Sequence, residues 1–112
     1  MTVRELASVL DLEILTGDVG LDEEIKHGYT SDLLSDVIAN APENSAWITV
    51  QRHINILGVA KLKEIVAIIT PRNLKIDKEL IERARAEKVA LLRSGLTAFE
   101  VSGELYDILK KA

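Results

Sequence analysis

The chain contains no cysteine and few aromatic residues. Its 112 residues include one Trp, one Phe and two Tyr, so that aromatic residues make up 4% of the chain. The absence of cysteine excludes disulfides, thiol nucleophiles and thiolate metal sites, and it fits a reducing cytosol. With so few aromatic side chains, the core must be built from Ile, Leu, Val and Ala, which suit parallel strands covered by helices.

Excess positive charge and long apolar runs are also missing. The net charge is −4, from 14 Lys and Arg against 18 Asp and Glu. A nucleic-acid-binding domain usually has a basic face with interleaved aromatic residues, so we expect no nucleic-acid partner. No apolar run approaches the roughly 18 residues of a transmembrane helix, and the first residues have the pattern of a polar helix rather than of a signal peptide. We therefore expect a cytoplasmic protein without membrane contact.

What is present is the composition and periodicity of one globular α/β domain, which we expect to span residues 1–112. Apolar residues make up 47% and charged residues 29%, as in folded proteins of this size. Strand-like segments are predicted at 12–15, 25–30, 46–50, 65–69 and 89–92. Helical periodicity or capping signals predict helices at 2–10, 31–41, 53–62, 78–88 and from 97 onwards.

The order of these segments indicates the architecture. From residue 25 onwards strands and helices alternate, which is typical of a mostly parallel sheet with right-handed crossovers. Segment 65–69 is apolar at every position, so that both of its faces should be covered and it should be the central strand. We predict a three-layer α/β/α fold with a mostly parallel central sheet.

The loops that follow the strands are the candidate binding site, because ligands of open α/β sheets bind beyond the carboxyl ends of the strands. Free backbone N–H groups at the following helices, together with Arg52, Arg72 and Arg93, would suit an anion. The alternative is that these residues are ordinary caps and turns. The candidate ligand-binding residues are Tyr29, Thr30, Ser31, Asp32, Thr49, Gln51, Arg52, His53, Thr70, Arg72 and Asn73.

Motifs that would indicate catalysis are missing. The sequence has no GxGxxG, no GxxxxGK[ST] and no GxSxG, and neither His27 nor His53 has further ligands at a metal-binding spacing. We therefore expect no cofactor, no metal and no enzymatic activity. The one catalytic alternative is Asp32 with Asp36, which would lie four residues apart on one face of the predicted helix and share acid–base work.

Several segments together resemble the DRTGG domain family. The segment Gly28-Tyr29-Thr30-Ser31-Asp32-Leu33-Leu34-Ser35-Asp36-Val37 is similar to its recurring Y-x-SDLLSDV segment. Segments 47–52, 65–69 and 97–99 support the resemblance, which covers essentially the whole chain. It implies a fold similar to the N-terminal domain of the HPr kinase/phosphorylase and an accessory, regulatory role beside catalytic domains. The chain departs from the family name, because Gln51-Arg52 replaces Asp-Arg and Thr70-Pro71-Arg72 replaces Thr-Gly-Gly.

Three functions follow as hypotheses. The first is a regulatory domain that binds a small anionic metabolite or a nucleotide at the loops after the strands. The second is a protein-interaction or oligomerisation module, and the third is a small enzyme that uses Asp32 or Asp36. The predicted helix at 31–41 and the last helix each have a wide apolar arc. We therefore also expect a symmetric homodimer that uses the first of these helices and, after it, the second.

Overall fold

Strands and helices alternate from residue 27 onwards in the computed structural model, which describes residues 1–111. The elements are α1 (Val3–Val9), β1 (Glu13–Ile14), β2 (His27–Thr30), α2 (Leu34–Asn40), β3 (Ser45–Ile48), α3 (Asn55–Leu62), β4 (Ala67–Thr70), α4 (Lys78–Ala86), β5 (Ala90–Arg93) and α5 (Ala98–Lys111). Within this range, no helix is both long enough and apolar enough to cross a membrane.

The strands form one sheet in the order β1-β5-β4-β3-β2. Strands β2 to β5 are parallel, and the two-residue β1 pairs antiparallel with β5. The prediction that the apolar segment around Ile68 forms the central strand is confirmed, because β4 lies between β3 and β5 and Ile68 is fully buried. Trp47 and Leu91 are its neighbours in register on the two adjacent strands.

Alternating side chains of the sheet divide the core into two apolar clusters. Ile69 points to the side covered by α1 and α5, where it packs with Leu6 and Leu105. Ile68 points to the side covered by α2, α3 and α4, where it packs with Trp47. The period of two along each strand thus gives both faces an aliphatic surface, and the predicted three-layer α/β/α fold is confirmed.

The ends of the elements differ from the predicted ones. The capping boxes at the starts of α1 and α5 are present, with reciprocal hydrogen bonds between Thr2 and Glu5 and between Thr97 and Glu100. Helix α2 was predicted from residue 31 but begins at Leu34, because the polar groups of the preceding residues bind neighbouring loops. The remaining ends differ from their predicted positions by at most two residues, as when Ile65 N–H binds the end of α3 instead of extending β4.

Candidate functional site

The loops after β2 and β3 are tied together by the side chain of Asp32. Its Oδ1 accepts hydrogen bonds from the Thr49 hydroxyl at 2.9 Å and from the Val50 N–H at 2.8 Å. Its backbone carbonyl accepts a third, from Gln51 Nε2 at 2.8 Å. Thr49 is buried, so these bonds satisfy polar groups that are partly removed from water. Asp32 is therefore a link between two loops in this structure.

Ser31 contacts the neighbouring strand β3 and a residue of its own loop. Its carbonyl accepts a hydrogen bond from the buried Trp47 indole N–H at 2.9 Å, and its hydroxyl accepts one from the Leu33 N–H at 3.2 Å. These contacts support the interpretation of four candidates as turn and loop residues, namely Ser31, Asp32, Thr49 and Gln51.

Tyr29 and Thr30 face opposite sides of the sheet. The Tyr29 hydroxyl donates to Asp36 Oδ2 at 2.8 Å on the α2 side, and this bond raises the pKa of the Tyr29 phenol. The Thr30 hydroxyl lies 2.8 Å from that of Ser102 on the α5 side. The two candidate residues therefore cannot contact one small ligand through their side chains.

The predicted placement of Asp32 and Asp36 on one helix face is wrong. Helix α2 begins at Leu34, so only Asp36 is helical. Hydrogen bonding by Ser31, Tyr29 and Asn40 lowers its pKa, because these contacts favour the ionised form. A carboxyl with a lowered pKa is a poor proton donor at neutral pH.

Arg72 and Asn73 form a left-handed turn after β4. Their φ angles are 58° and 50°, a region that residues other than glycine seldom adopt. The turn is held by Arg72 N–H, which donates to Leu96 O at 2.7 Å, and Asn73 N–H, which donates to Ser94 O at 2.8 Å. The chain therefore adopts this conformation at Arg72 without a glycine there.

The three candidate arginines have different surroundings. Arg93 lies in β5 and donates to Glu13 Oε1 at 2.6 and 2.9 Å, so its guanidinium is paired with a carboxylate of the protein. Arg52 is exposed and donates through Nη1 to the Lys75 carbonyl at 2.8 Å, three residues from Arg72. Arg72 is exposed, and its guanidinium makes no hydrogen bond or ion pair within residues 1–111.

The remaining candidates add little to a ligand contact. Thr70 is buried and its hydroxyl donates to Leu92 O at 3.3 Å. His53 Nδ1 accepts a hydrogen bond from the Asn55 N–H at 3.2 Å, just ahead of α3. The cavity beside His53 and Arg52 is about 160 Å³ and is also lined by the carboxylates Asp77 and Glu79.

A larger groove, which the sequence did not reveal, lies between β2 and α5. Its volume is about 380 Å³, and no charged side chain lines it. Phe99 and Tyr106 stand at its rim with 89% and 69% of their surface exposed. The capping box ahead of α5 and the apolar arc of this helix were visible in the sequence. The exposure of the two aromatic side chains depends on how α5 packs, which the sequence alone does not specify.

Comparisons with known proteins give a likeness of fold. No family model matches the chain, and no curated protein matches it. A crystal structure of the CBS and DRTGG domains of the regulatory region of a Clostridium perfringens pyrophosphatase, complexed with the activator diadenosine tetraphosphate, is similar, with a TM-score of 0.66 and 14% identity. The match covers 90% of this chain and 44% of that one, so the chain spans less than half of that structure. The resemblance to DRTGG domains inferred from the sequence is thereby confirmed for the fold.

Proposed function

We propose that the chain is a non-catalytic regulatory domain of the cytoplasm that binds a small anionic metabolite or the phosphate groups of a nucleotide. The proposed contact is the rim formed by Arg52 and Arg72 beyond the carboxyl ends of β3 and β4. The side chain of Asn73, which is exposed beside Arg72, would complete it. The loops that carry this rim would be held together by the hydrogen bonds of Ser31, Asp32, Thr49 and Gln51.

The observation that carries this proposal is the guanidinium of Arg72. It is exposed, makes no hydrogen bond within residues 1–111, and sits on a turn with two consecutive left-handed residues. Backbone strain of this kind costs about 1–3 kcal/mol per residue and persists where the surroundings hold it, often at functional sites. Arg52 contacts the loop that follows Arg72 through the Lys75 carbonyl, which supports a shared basic rim on a protein whose net charge is negative.

The similar crystal structure supports the proposed regulatory role in more general terms. That protein is a regulatory region, and its crystals contain a nucleotide activator. A role beside other domains, as a sensor of a phosphorylated compound, is consistent with that setting. Since this chain matches 44% of that structure at 14% identity, neither the ligand nor its contacts are carried over residue by residue.

A titration with inorganic phosphate, followed by NMR of the backbone amides, tests the site. We expect the largest shifts at Arg72 and Asn73, smaller ones near Arg52, and none on α4. Charge reversal by Arg72→Glu should abolish these shifts, whereas Arg85→Glu, on exposed α4 surface, should leave them unchanged. Shifts that survive Arg72→Glu would contradict the assignment.

Exposed apolar side chains favour a second candidate function, a protein-interaction or homodimerisation module. On α2, Ile38 is 41% exposed, and Leu33, just before this helix, is 63% exposed; on α5, Phe99 and Tyr106 are more so. Exposed apolar groups that lie together on a folded protein mark interaction sites. We propose that the protein forms a symmetric homodimer, which static light scattering at micromolar concentration tests. A monomer mass would contradict it.

A further inference from the structure

Strand β2 forms an edge of the sheet with its outward backbone groups available. His27 N–H donates to Asn44 O, and Ser31 N–H donates to Ile48 O, so the odd-numbered residues of this segment face β3. Because a parallel strand directs alternate residues to alternate sides, the N–H and C=O groups of Gly28 and Thr30 face away from the sheet. Both residues are exposed.

Helix α5 lies along the same edge and runs opposite to β2. Ser102 contacts Thr30 through its hydroxyl, and Leu105 covers Gly28 so closely that a Cβ there would lie 2.8 Å from Leu105 Cδ2. The rim of the groove consists of Phe99, Ser102, Gly103 and Tyr106, which fall on one stripe of the helix. This stripe has aromatic residues at both ends and small residues in its middle.

We propose that this edge is the interface between two copies of the chain, which pair about a two-fold axis through Tyr29. Thr30 of each copy then opposes Gly28 of the partner subunit as a hydrogen-bonded antiparallel pair, and two five-stranded sheets become one. Since both α5 helices lie on the same face of this sheet, they pack antiparallel, with Gly103 closest to the axis. The inference rests on the self-association stated under the proposed function.

The chemistry of the edge suits a second copy. Gly103 allows close approach of two helices, because nothing lies within 4 Å of a Cβ built there. The antiparallel arrangement brings Tyr106 of the partner subunit level with the Phe99 end of the uncharged groove. With Gly103 at the axis, Lys110 comes within about one helical turn of Glu100 of the partner subunit, on the same flank of the helix pair. This pairing of opposite charges favours the antiparallel orientation.

Cysteine crosslinking tests the register, since the chain has no native cysteine. We expect Gly103→Cys to form a disulfide-linked dimer under mild oxidation, because residues at a two-fold axis meet their own copy within the Cα separation of about 4.4–6.8 Å that a disulfide needs. Gly58→Cys is the matched control, because Gly58 is an exposed helical glycine on α3 with equally open space. Equal crosslinking of the two variants would overturn the register.

Charge insertion tests the interface itself. Gly103→Glu should convert the dimer to a monomer by light scattering, whereas Gly58→Glu should remain dimeric; Glu has the higher helix propensity, so both variants should fold. In the wild-type dimer, the amides of Gly28 and Thr30 should exchange with solvent at least tenfold more slowly than in Gly103→Glu.

The outcomes separate this interface from the other proposals. A Gly103→Glu variant that stays dimeric would move the interface elsewhere, for example to α2, and would leave the homodimer standing. Rapid exchange of the Gly28 and Thr30 amides in a dimer would refute the strand pairing. A wild-type monomer would refute both the interface and self-association. Phosphate shifts at Arg72 should be the same in every case, because Arg72 follows β4, which lies two strands away from this edge.

Discussion

Asp32 Oδ1 accepts a hydrogen bond from the Thr49 hydroxyl at 2.9 Å and thereby joins the loops after two adjacent parallel strands. The same oxygen accepts the Val50 N–H. We expect Asp32→Ala to lower the free energy of unfolding by about 1–3 kcal/mol, because partly buried donors lose their partner. Urea denaturation measures this change.

Two variants control that measurement. Asp32→Asn keeps an acceptor oxygen and should lose less stability than Asp32→Ala. Asp22→Ala removes a carboxylate that is 86% exposed and pairs with Arg4 at the surface, so its effect should stay within about 0.5 kcal/mol. Equal effects of Asp32→Ala and Asp22→Ala would show that the link between the loops contributes nothing.

The central strand should be the most sensitive part of the core. Ile68 is fully buried between Trp47 and Leu91, so Ile68→Ala should cost about 2–5 kcal/mol in the free energy of unfolding. Leu62→Ala, at a side chain 67% exposed on α3, should cost less than about 0.5 kcal/mol. Denaturant midpoints of the two variants give the comparison, and similar midpoints would contradict the central position of β4.

The Tyr29–Asp36 contact should make stability depend on pH. The pKa of Asp36 is lowered in the folded state, so its stabilising contribution is present above the ordinary carboxyl pKa and is lost as the pH falls through the folded value. Tyr29→Phe removes one donor, and its deficit relative to wild type should be largest at neutral pH and smaller near pH 2.

Ser35→Ala is the control for this profile, since Ser35 is exposed on α2 and its hydroxyl makes no hydrogen bond within residues 1–111. Urea midpoints between about pH 2 and pH 7 measure both variants. A Tyr29→Phe deficit that is constant across this range would show that the phenol does not lower the pKa of Asp36.

The turn at Arg72 should respond to backbone preference. Its φ of 58° costs a side-chain-bearing residue about 1–2 kcal/mol relative to the right-handed region. Arg72→Gly should therefore raise the free energy of unfolding by up to about 1 kcal/mol, and Arg72→Val should lower it, because β-branched residues tolerate this region least. If thermal denaturation gives the opposite order, the turn does not have this conformation in solution.

Local signals in the sequence predicted the layers and the central strand, because the apolar periodicity of each segment shows how many of its faces are covered. The capping boxes at Thr2 and Thr97 were also visible in the sequence, because each depends on two residues that are three positions apart. The start of α2 was missed because Asp32 binds Thr49, which is 17 residues away. Short-range sequence patterns do not reveal a hydrogen bond between residues that lie so far apart in the chain.

The sequence identified the loops of the candidate site, but it did not show which contacts each of their residues makes. The ends of the strands identified the loops, and these loops do meet. Which arginine is engaged within the protein depends on partners far along the chain, namely Lys75 for Arg52 at a separation of 23 residues and Glu13 for Arg93 at a separation of 80. Only the folded structure shows that Arg72 differs from them.

A thermal-stability screen with AMP, ATP, diadenosine tetraphosphate and inorganic phosphate tests the proposed function most directly. A ligand at 100 times its Kd stabilises the folded state by about 2.7 kcal/mol, so a true ligand should raise Tm by several degrees. We expect at least one of these anions to do so for wild type and for Arg85→Glu, and none to do so for Arg72→Glu. If none of the four raises the Tm of wild type, or if Arg72→Glu responds like wild type, anion recognition at Arg72 is refuted.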